Sequence, residues 1–177
     1  EAMKFMALRN GERTFFRNLP IYTNFCMSNP EARALVTAAV VSHAVKHPNA
    51  DYIHVWLSDG MNNHCECEEC QKLRPSDYYL MIMHELDERL TECGLDTRIM
   101  FIVYLDTLFA PLKEKIDNTK RFSLLYAPIQ RSYSTSVKRE LIGEPAEYER
   151  NVWKTPVTAE ANAAFLLDWQ ENIWKGP

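Results

Sequence analysis

Tyr52-Ile53-His54-Val55-Trp56-Leu57-Ser58-Asp59-Gly60 is the stretch whose reading decides the fold. Its first six positions are a nearly continuous β-branched and aromatic run, as expected of a strand covered on both faces, and Ser-Asp-Gly stops it. Such a strand belongs in a parallel sheet flanked by helices, and the neighbouring sequence supplies them. Upstream, Ala32 to His47 carries Leu35, Val36, Val40, Val41, Ala44 and Val45 around most of its circumference, the pattern of a largely buried helix. It opens at Ser28-Asn29-Pro30-Glu31, where Ser28 and Glu31 have capping-box spacing and Pro30 suits the first turn. Downstream, Ser76 caps an amphipathic helix over Asp77 to Cys93, with Tyr79, Ile82, Met83, Leu86 and Leu90 on one face and Gly94 at its end. A second strand, Arg98 to Tyr104, a short helical crossover at 111–116, a third strand, Phe122 to Ala127, and a last helix, Thr158 to Trp174, complete the order. Ahead of all these, Phe5 to Leu8 and Arg13 to Phe16 flank Asn10-Gly11, a strong hairpin signal because both residues tolerate positive φ.

Alternating β and α segments imply parallel strands with right-handed crossovers. Three such strands cannot close a barrel, which takes ~250 residues. The sequence therefore predicts an α/β fold that is a partial (β/α)8 TIM-barrel slice with an N-terminal β-hairpin, residues 1–177 forming a single segment truncated at both ends. A small open α/β sheet is the alternative. In a slice, sheet edges and barrel-facing residues such as Val55, Leu57, Phe101 and Val103 lack neighbours, which predicts a homo-oligomer or swapped assembly covering them and little hydrolysis by this chain alone.

Composition narrows the function. Hydrophobic residues at 46% and charged residues at 25% exclude a disordered chain. A net charge of -4 argues against nucleic acid or an anionic membrane as partner. The longest apolar run, near Ala34 to Val41, falls far short of the ~20 residues of a bilayer span.

The most specific chemical feature is His64-Cys65-Glu66-Cys67-Glu68-Glu69-Cys70. Three close thiols in a loop suit tetrahedral Zn(II), which prefers soft thiolates and wants a fourth ligand. Cys26, just before the first helix, is the choice for that ligand, and His64 is the runner-up. Two disulfides among the same four cysteines, or free thiols without a role, are the competing readings. Cys93, at a helix end, reads as an ordinary small apolar residue.

A second constellation sits at the carboxyl ends of the strands, where βα architectures place their sites. Asp59 follows the first strand, Asp106 the second, and Gln130 with Arg131 the third. Carboxylates there act as acids, bases or acceptors of sugar hydroxyls. Trp56, Tyr104, Tyr126 and Tyr133 add aromatic surface that can stack on sugar rings. Turn chemistry is the plain alternative for Asp59, and a turn or helix cap for Asp106. Period-two alternation places Val55, Leu57 and Asp59 on one face and pairs Tyr104 with Asp106. His43 and His47 share a helix face without the glutamate of a His-Glu-x-x-His motif and read as a solvated helix end. There is no glycine-rich phosphate loop and no Gly-x-Ser-x-Gly elbow.

Several of these blocks together resemble the domain of unknown function 4838 family. They are Phe5-Met6-Ala7-Leu8-x-x-Gly11, Phe25-Cys26-Met27-Ser28-Asn29-Pro30-Glu31, Ser58-Asp59-Gly60 leading to Cys65-x-Cys67-x-x-Cys70 and Ser76-Asp77-Tyr78, and Tyr126-Ala127-Pro128-Ile129-x-Arg131. That family is similar to glycoside hydrolases with a (β/α)8 barrel, some of them endo-β-N-acetylglucosaminidases acting on N-glycans. The resemblance implies a glycan substrate, a secreted, periplasmic or surface location in a glycan-degrading bacterium, and the grouping of Cys26 with the three loop cysteines. The alternatives are a non-catalytic carbohydrate-binding domain and a zinc-organised interaction module.

Overall fold

A computed structural model describes residues 2–176 and places Tyr52–Val55 as a strand, β3, at the edge of a three-stranded parallel sheet. β3 pairs with β4 (Arg98–Val103), and β4 pairs with β5 (Phe122–Tyr126). The register sets Phe101 opposite both Val55 and Leu124. Around the sheet run α1 (Pro30–Lys46), the single turn α2 (Glu68–Gln71), α3 (Pro75–Glu92) and α4 (Ala159–Asn172). The hairpin is separate and short, β1 (Leu8–Arg9) with β2 (Glu12–Arg13), and its Asn10 and Gly11 have φ of +49° and +82°. The whole is a mixed α/β fold with an open sheet, consistent with a partial, unclosed barrel.

The sheet has one dry face. Ile99, Phe101, Val103 and Phe122 are buried there with Val55, beneath Tyr79, Leu86 and Leu90 of α3 and Phe165 and Trp169 of α4. Phe101 is its centre, with ring centroids 6.2 Å from Tyr79, 6.3 Å from Phe122, 6.2 Å from Trp169 and 5.6 Å from Trp174. Alternation sends Tyr52, His54, Trp56, Arg98, Met100 and Ser123 to the other face. There the Arg98 guanidinium lies 4.6 Å over the Tyr52 ring and donates to Ser123 Oγ at 3.1 Å. Val55, Phe101 and Val103, expected to face a barrel interior, thus pack against the helices instead. β3 is likewise covered on one face only. A continuous apolar run carries no phase: in β3 the aliphatic Ile53 and Val55 join the core under the helices, while the rings of Tyr52, His54 and Trp56 take the other face.

Three local readings also change. The cap of α1 is Asn29, whose Oδ1 accepts from the Glu31 and Ala32 amides at 2.9 and 3.3 Å, and Ser28 turns to the cysteines. α1 is less buried than its composition suggested: Leu35 and Val45 are exposed, and Ala32, Thr37 and Ala44 are its buried positions. The crossover 111–116 is not helical. Its backbone is held by the buried Asp77 carboxylate, which accepts from the amides of Leu112, Lys113 and Glu114 at 3.0, 2.7 and 3.2 Å, and from Arg74 at 3.0 Å at the start of α3. A helical turn comes earlier, at Leu105–Leu108, directly after β4.

Tyr79 does something special where β3 leaves the sheet. Its hydroxyl donates to the Val55 carbonyl and accepts from the Ile102 amide at 3.1 Å, standing between two groups that would otherwise form a ladder rung. The strands are therefore held apart just before the residues that carry Asp59.

Candidate metal centre and strand-end site

The four sulfurs of Cys26, Cys65, Cys67 and Cys70 lie within 4.8 Å of one another, and three of the four residues are buried. Cys26 Sγ is 3.6 Å from Cys67 Sγ and 3.9 Å from Cys70 Sγ. A tetrahedron with metal–sulfur bonds of ~2.3 Å has edges of ~3.8 Å, so the quartet already has the dimensions of a tetrathiolate site. All of these cysteines are free thiols, so the disulfide arrangement is not the one adopted. The surroundings suit thiolates. The Leu8 amide donates to Cys65 Sγ at 3.2 Å, Ser28 Oγ lies 3.1 Å from Cys70 Sγ, and the Arg13 guanidinium reaches Cys26 and Cys65. Hydrogen bonds from Cys65 and Cys70 push the Cys26 thiol well down, whereas the bonds it makes to Cys26 and Cys65 push Cys70 up. His64 is outside the sulfur quartet, and Cys93 is exposed beyond α3.

The loop that carries these sulfurs is pinned from three directions. Glu66 accepts from Arg9 and from the Asn10 amide of the hairpin turn, the latter at 2.8 Å. Arg150 donates to the Cys70 and Leu73 carbonyls. Asn151, with φ of +61°, grips His64 on both sides, accepting from its amide at 2.8 Å and donating to its carbonyl at 2.9 Å. From sequence His64 enters only as the runner-up for the fourth ligand, and Asn62 and Asn151 do not enter as site residues. Asn62-Asn63-His64, set directly before the cysteines, was the available signal; nothing in sequence linked it to position 151.

At the strand ends, Trp56, Tyr104 and Asp59 come together. The rings of Trp56 and Tyr104 are 6.4 Å apart, and Tyr104 Oη donates to Asp59 Oδ1 at 3.3 Å. Asp59 is exposed, and Trp56 keeps 52% of its surface. Burial, with the Asp59 charge next, pushes the Tyr104 phenol up to about 12, so it is a hydrogen-bond donor at neutral pH.

Asp106 is placed differently. β4 ends at Val103, and Leu105 adopts φ of +50°, so the alternation that paired Tyr104 with Asp106 does not extend that far. Asp106 is 2% exposed, its Oδ2 accepting from the Asn62 amide at 2.9 Å and lying 3.8 Å from His64 Nε2. Burial pushes its carboxyl up to about 6. The same cause, with Arg150 and Arg9 nearby, pulls His64 down to about 3, leaving a neutral imidazole. Tyr126 gives its hydroxyl to the Asn162 carbonyl of α4, and burial pushes its phenol up. Gln130 is exposed and Arg131 half-buried in the irregular segment after β5, with the Arg131 guanidinium 4.5 Å over the Tyr133 ring.

No helix among the described residues is long and apolar enough to cross a membrane. No curated protein and no solved structure matches the chain. Residues 4–155, which include all four clustered cysteines, both strand-end aspartates and the Arg150–Asn151 clamp, match the family described as Domain of unknown function (DUF4838), and the chain belongs to that family.

Proposed function

We propose that this chain is a segment of a glycoside hydrolase-like barrel whose strand ends recognise a glycan, with an endo-β-N-acetylglucosaminidase-like reaction in the intact parent. The observation that carries the proposal is the exposed Trp56–Tyr104–Asp59 group at the carboxyl end of a parallel sheet. An aromatic face beside a carboxylate suits a sugar ring, whose C–H face stacks while its hydroxyls donate to the acid. Asp59 is the carboxylate that meets the substrate; Asp106, raised by burial, is the partner acid behind Tyr104. Gln130 and Arg131 extend the rim beyond β5, and Tyr126 supports it from the α4 side. A glycan-directed role fits an extracytoplasmic location and an assembly that covers the open sheet face.

The four thiols fit Zn(II), which takes soft ligands in tetrahedral geometry. When bound, it supplies a closed structural centre, since four sulfurs leave no position for substrate. The chain's own residues do the rest: Cys26 anchors the start of α1, while Cys65, Cys67 and Cys70 hold the loop that presents His64 to Asp106.

One observation favours a second reading, carbohydrate binding without hydrolysis. Asp106 is 2% exposed, so Asp59 is the carboxylate that meets solvent in this arrangement. Titration with an N-glycan-derived oligosaccharide tests recognition. Trp153, Trp169 and Trp174 are buried, so a change in tryptophan emission reports on Trp56. Saturable quenching that Trp56→Ala abolishes supports the proposal; a flat titration overturns it. In the intact parent, Asp59→Asn lowers kcat by more than ~100-fold if Asp59 is an acid or base. A rise in KM alone selects the binding reading.

A further inference from the structure

Beside Tyr104 lies a small, partly open pocket of about 10 Å³, whose walls include Ser58, Gly60, His64, Tyr104, Asp106 and Thr107. A space of roughly 10–15 Å³ holds one water-sized group. Two wall residues carry polar atoms that no protein group satisfies. Asp106 Oδ1 and His64 Nδ1 are buried and make no hydrogen bond, although their residues are only 2% and 3% exposed. Buried polar atoms are nearly always paired, so two orphans on one small pocket point to a partner that is not part of the protein. The distance between the side chains agrees. His64 Nε2 stands 3.8 Å from Asp106 Oδ2, too far for a direct hydrogen bond, so the two side chains sit side by side without pairing, and Nδ1 and Oδ1 keep their capacity for a small guest in the pocket.

The walls are also built to stay where they are. Asn151 holds both backbone groups of His64. The Asn62 amide holds the other side of the Asp106 carboxylate, and Asn62 does so with φ of +57°. Leu105 takes φ of +50° directly before Asp106, a conformation that a branched residue resists. Asn62 tolerates that conformation, but in Leu105 it is the kind of local strain that surrounding structure must enforce.

We propose that His64 and Asp106 form a one-hydroxyl subsite, a pocket that takes a single neutral O–H group able to donate to the carboxylate and accept from or donate to the imidazole. A water molecule and an alcohol or sugar hydroxyl share that chemistry. The inference goes beyond the glycan reading, because a water-only occupant leaves it intact. It also gives the cysteine loop a second task, since His64 precedes Cys65 directly.

The test uses the unmodified chain labelled with ¹⁵N and ¹³C at histidine. In buffer, nuclear Overhauser contacts from the His64 ring to a slowly exchanging water, and a hydrogen-bonded ring nitrogen, are the expected result. Titration with N-acetylglucosamine, and separately with methanol, distinguishes the sources. A saturable His64 shift with loss of the water contact assigns the pocket to an organic hydroxyl. An unchanged spectrum with the water contact retained assigns it to water. Asp106→Leu, which fills the space with methyl groups, removes the contact, and Asp106→Asn, which keeps a polar wall, retains it. A His64 ring with free nitrogens, no water contact and no saturable shift overturns the proposal without bearing on Trp56 and Asp59, which are read separately by fluorescence.

Discussion

Replacing Tyr79 with phenylalanine removes one oxygen from the centre of the molecule, and its effect can be worked out in advance. Tyr79 is fully buried, and its hydroxyl serves two backbone groups, the Val55 carbonyl and the Ile102 amide. Each buried backbone group left without a partner costs about 1–3 kcal/mol. Tyr79→Phe should therefore destabilise the fold by about 2–6 kcal/mol. For a chain of this size, 1 kcal/mol moves Tm by about 2–4 °C, so the expected drop is about 4–24 °C in a differential scanning measurement. The alternative is that β3 and β4 close directly, the Ile102 amide donating to the Val55 carbonyl. The stability loss would then be small, but the strand carrying Trp56 and Asp59 would swing toward β4. Amide exchange distinguishes the two, because Ile102 becomes unprotected in the first case and stays protected in the second. A Tm within ~2 °C of the parent, with unchanged Ile102 protection and unchanged Trp56 emission, would refute the idea that this hydroxyl is a structural rung.

The thiol quartet should bind one Zn(II) per chain, measurable by elemental analysis, and Cys26→Ser should lower the affinity enough for a chelator to strip the metal under conditions that leave the parent loaded. Removal should also loosen the His64 region, read as faster amide exchange at His64, while Phe101 at the sheet centre stays protected. For pH, the relevant group is Asp106, whose carboxyl is raised to about 6 against an unfolded value of ~3.9. A raised acid stabilises the fold fully below the unfolded value and loses that contribution as pH rises through 6. Relative to Asp106→Asn, the parent should thus lose up to about 3 kcal/mol between pH 4 and pH 7 in denaturant titrations. Taking the difference between the two proteins cancels the contribution of the thiols. A difference that is flat with pH would show that Asp106 is not desolvated.

Much of the fold was legible because periodicity and turn chemistry are local. The Tyr52 run, the amphipathic face of Tyr79 to Leu90 and the Asn10-Gly11 turn each announced an element that forms. Cys26 could be grouped with the loop cysteines because ligand number is a chemical constraint that does not depend on distance in sequence. What failed was phase and reach. Phe101 and Val55 could point either way until α3 and α4 were placed, because an apolar run looks the same from both sides. Ser28 and Asn29 are both good caps, and the cysteine cluster took the first, leaving the second for the helix. Alternation would pair Asp106 with Tyr104 only on a strand that continued, and β4 stops at Val103, where the positive φ of Leu105 turns Asp106 inward. The Asn151 grip on His64 spans 87 residues, and no local pattern encodes a partner that far away.

The sulfur cluster has a mechanical consequence. Cys26 and Cys70 stand 3.9 Å apart although 44 positions separate them, and the chain between them makes all of α1 and β3. A metal gripping both sulfurs turns that stretch into a closed circuit. A force pulling on the two ends of the chain would pass from Cys26 to Cys70 through the metal, bypassing the helix and strand inside. At ~3.4 Å per residue, roughly 150 Å of chain would be shielded from tension until a metal–thiolate bond broke. The first element of the parallel sheet would then be among the last to feel a load, and its release would come as a single step.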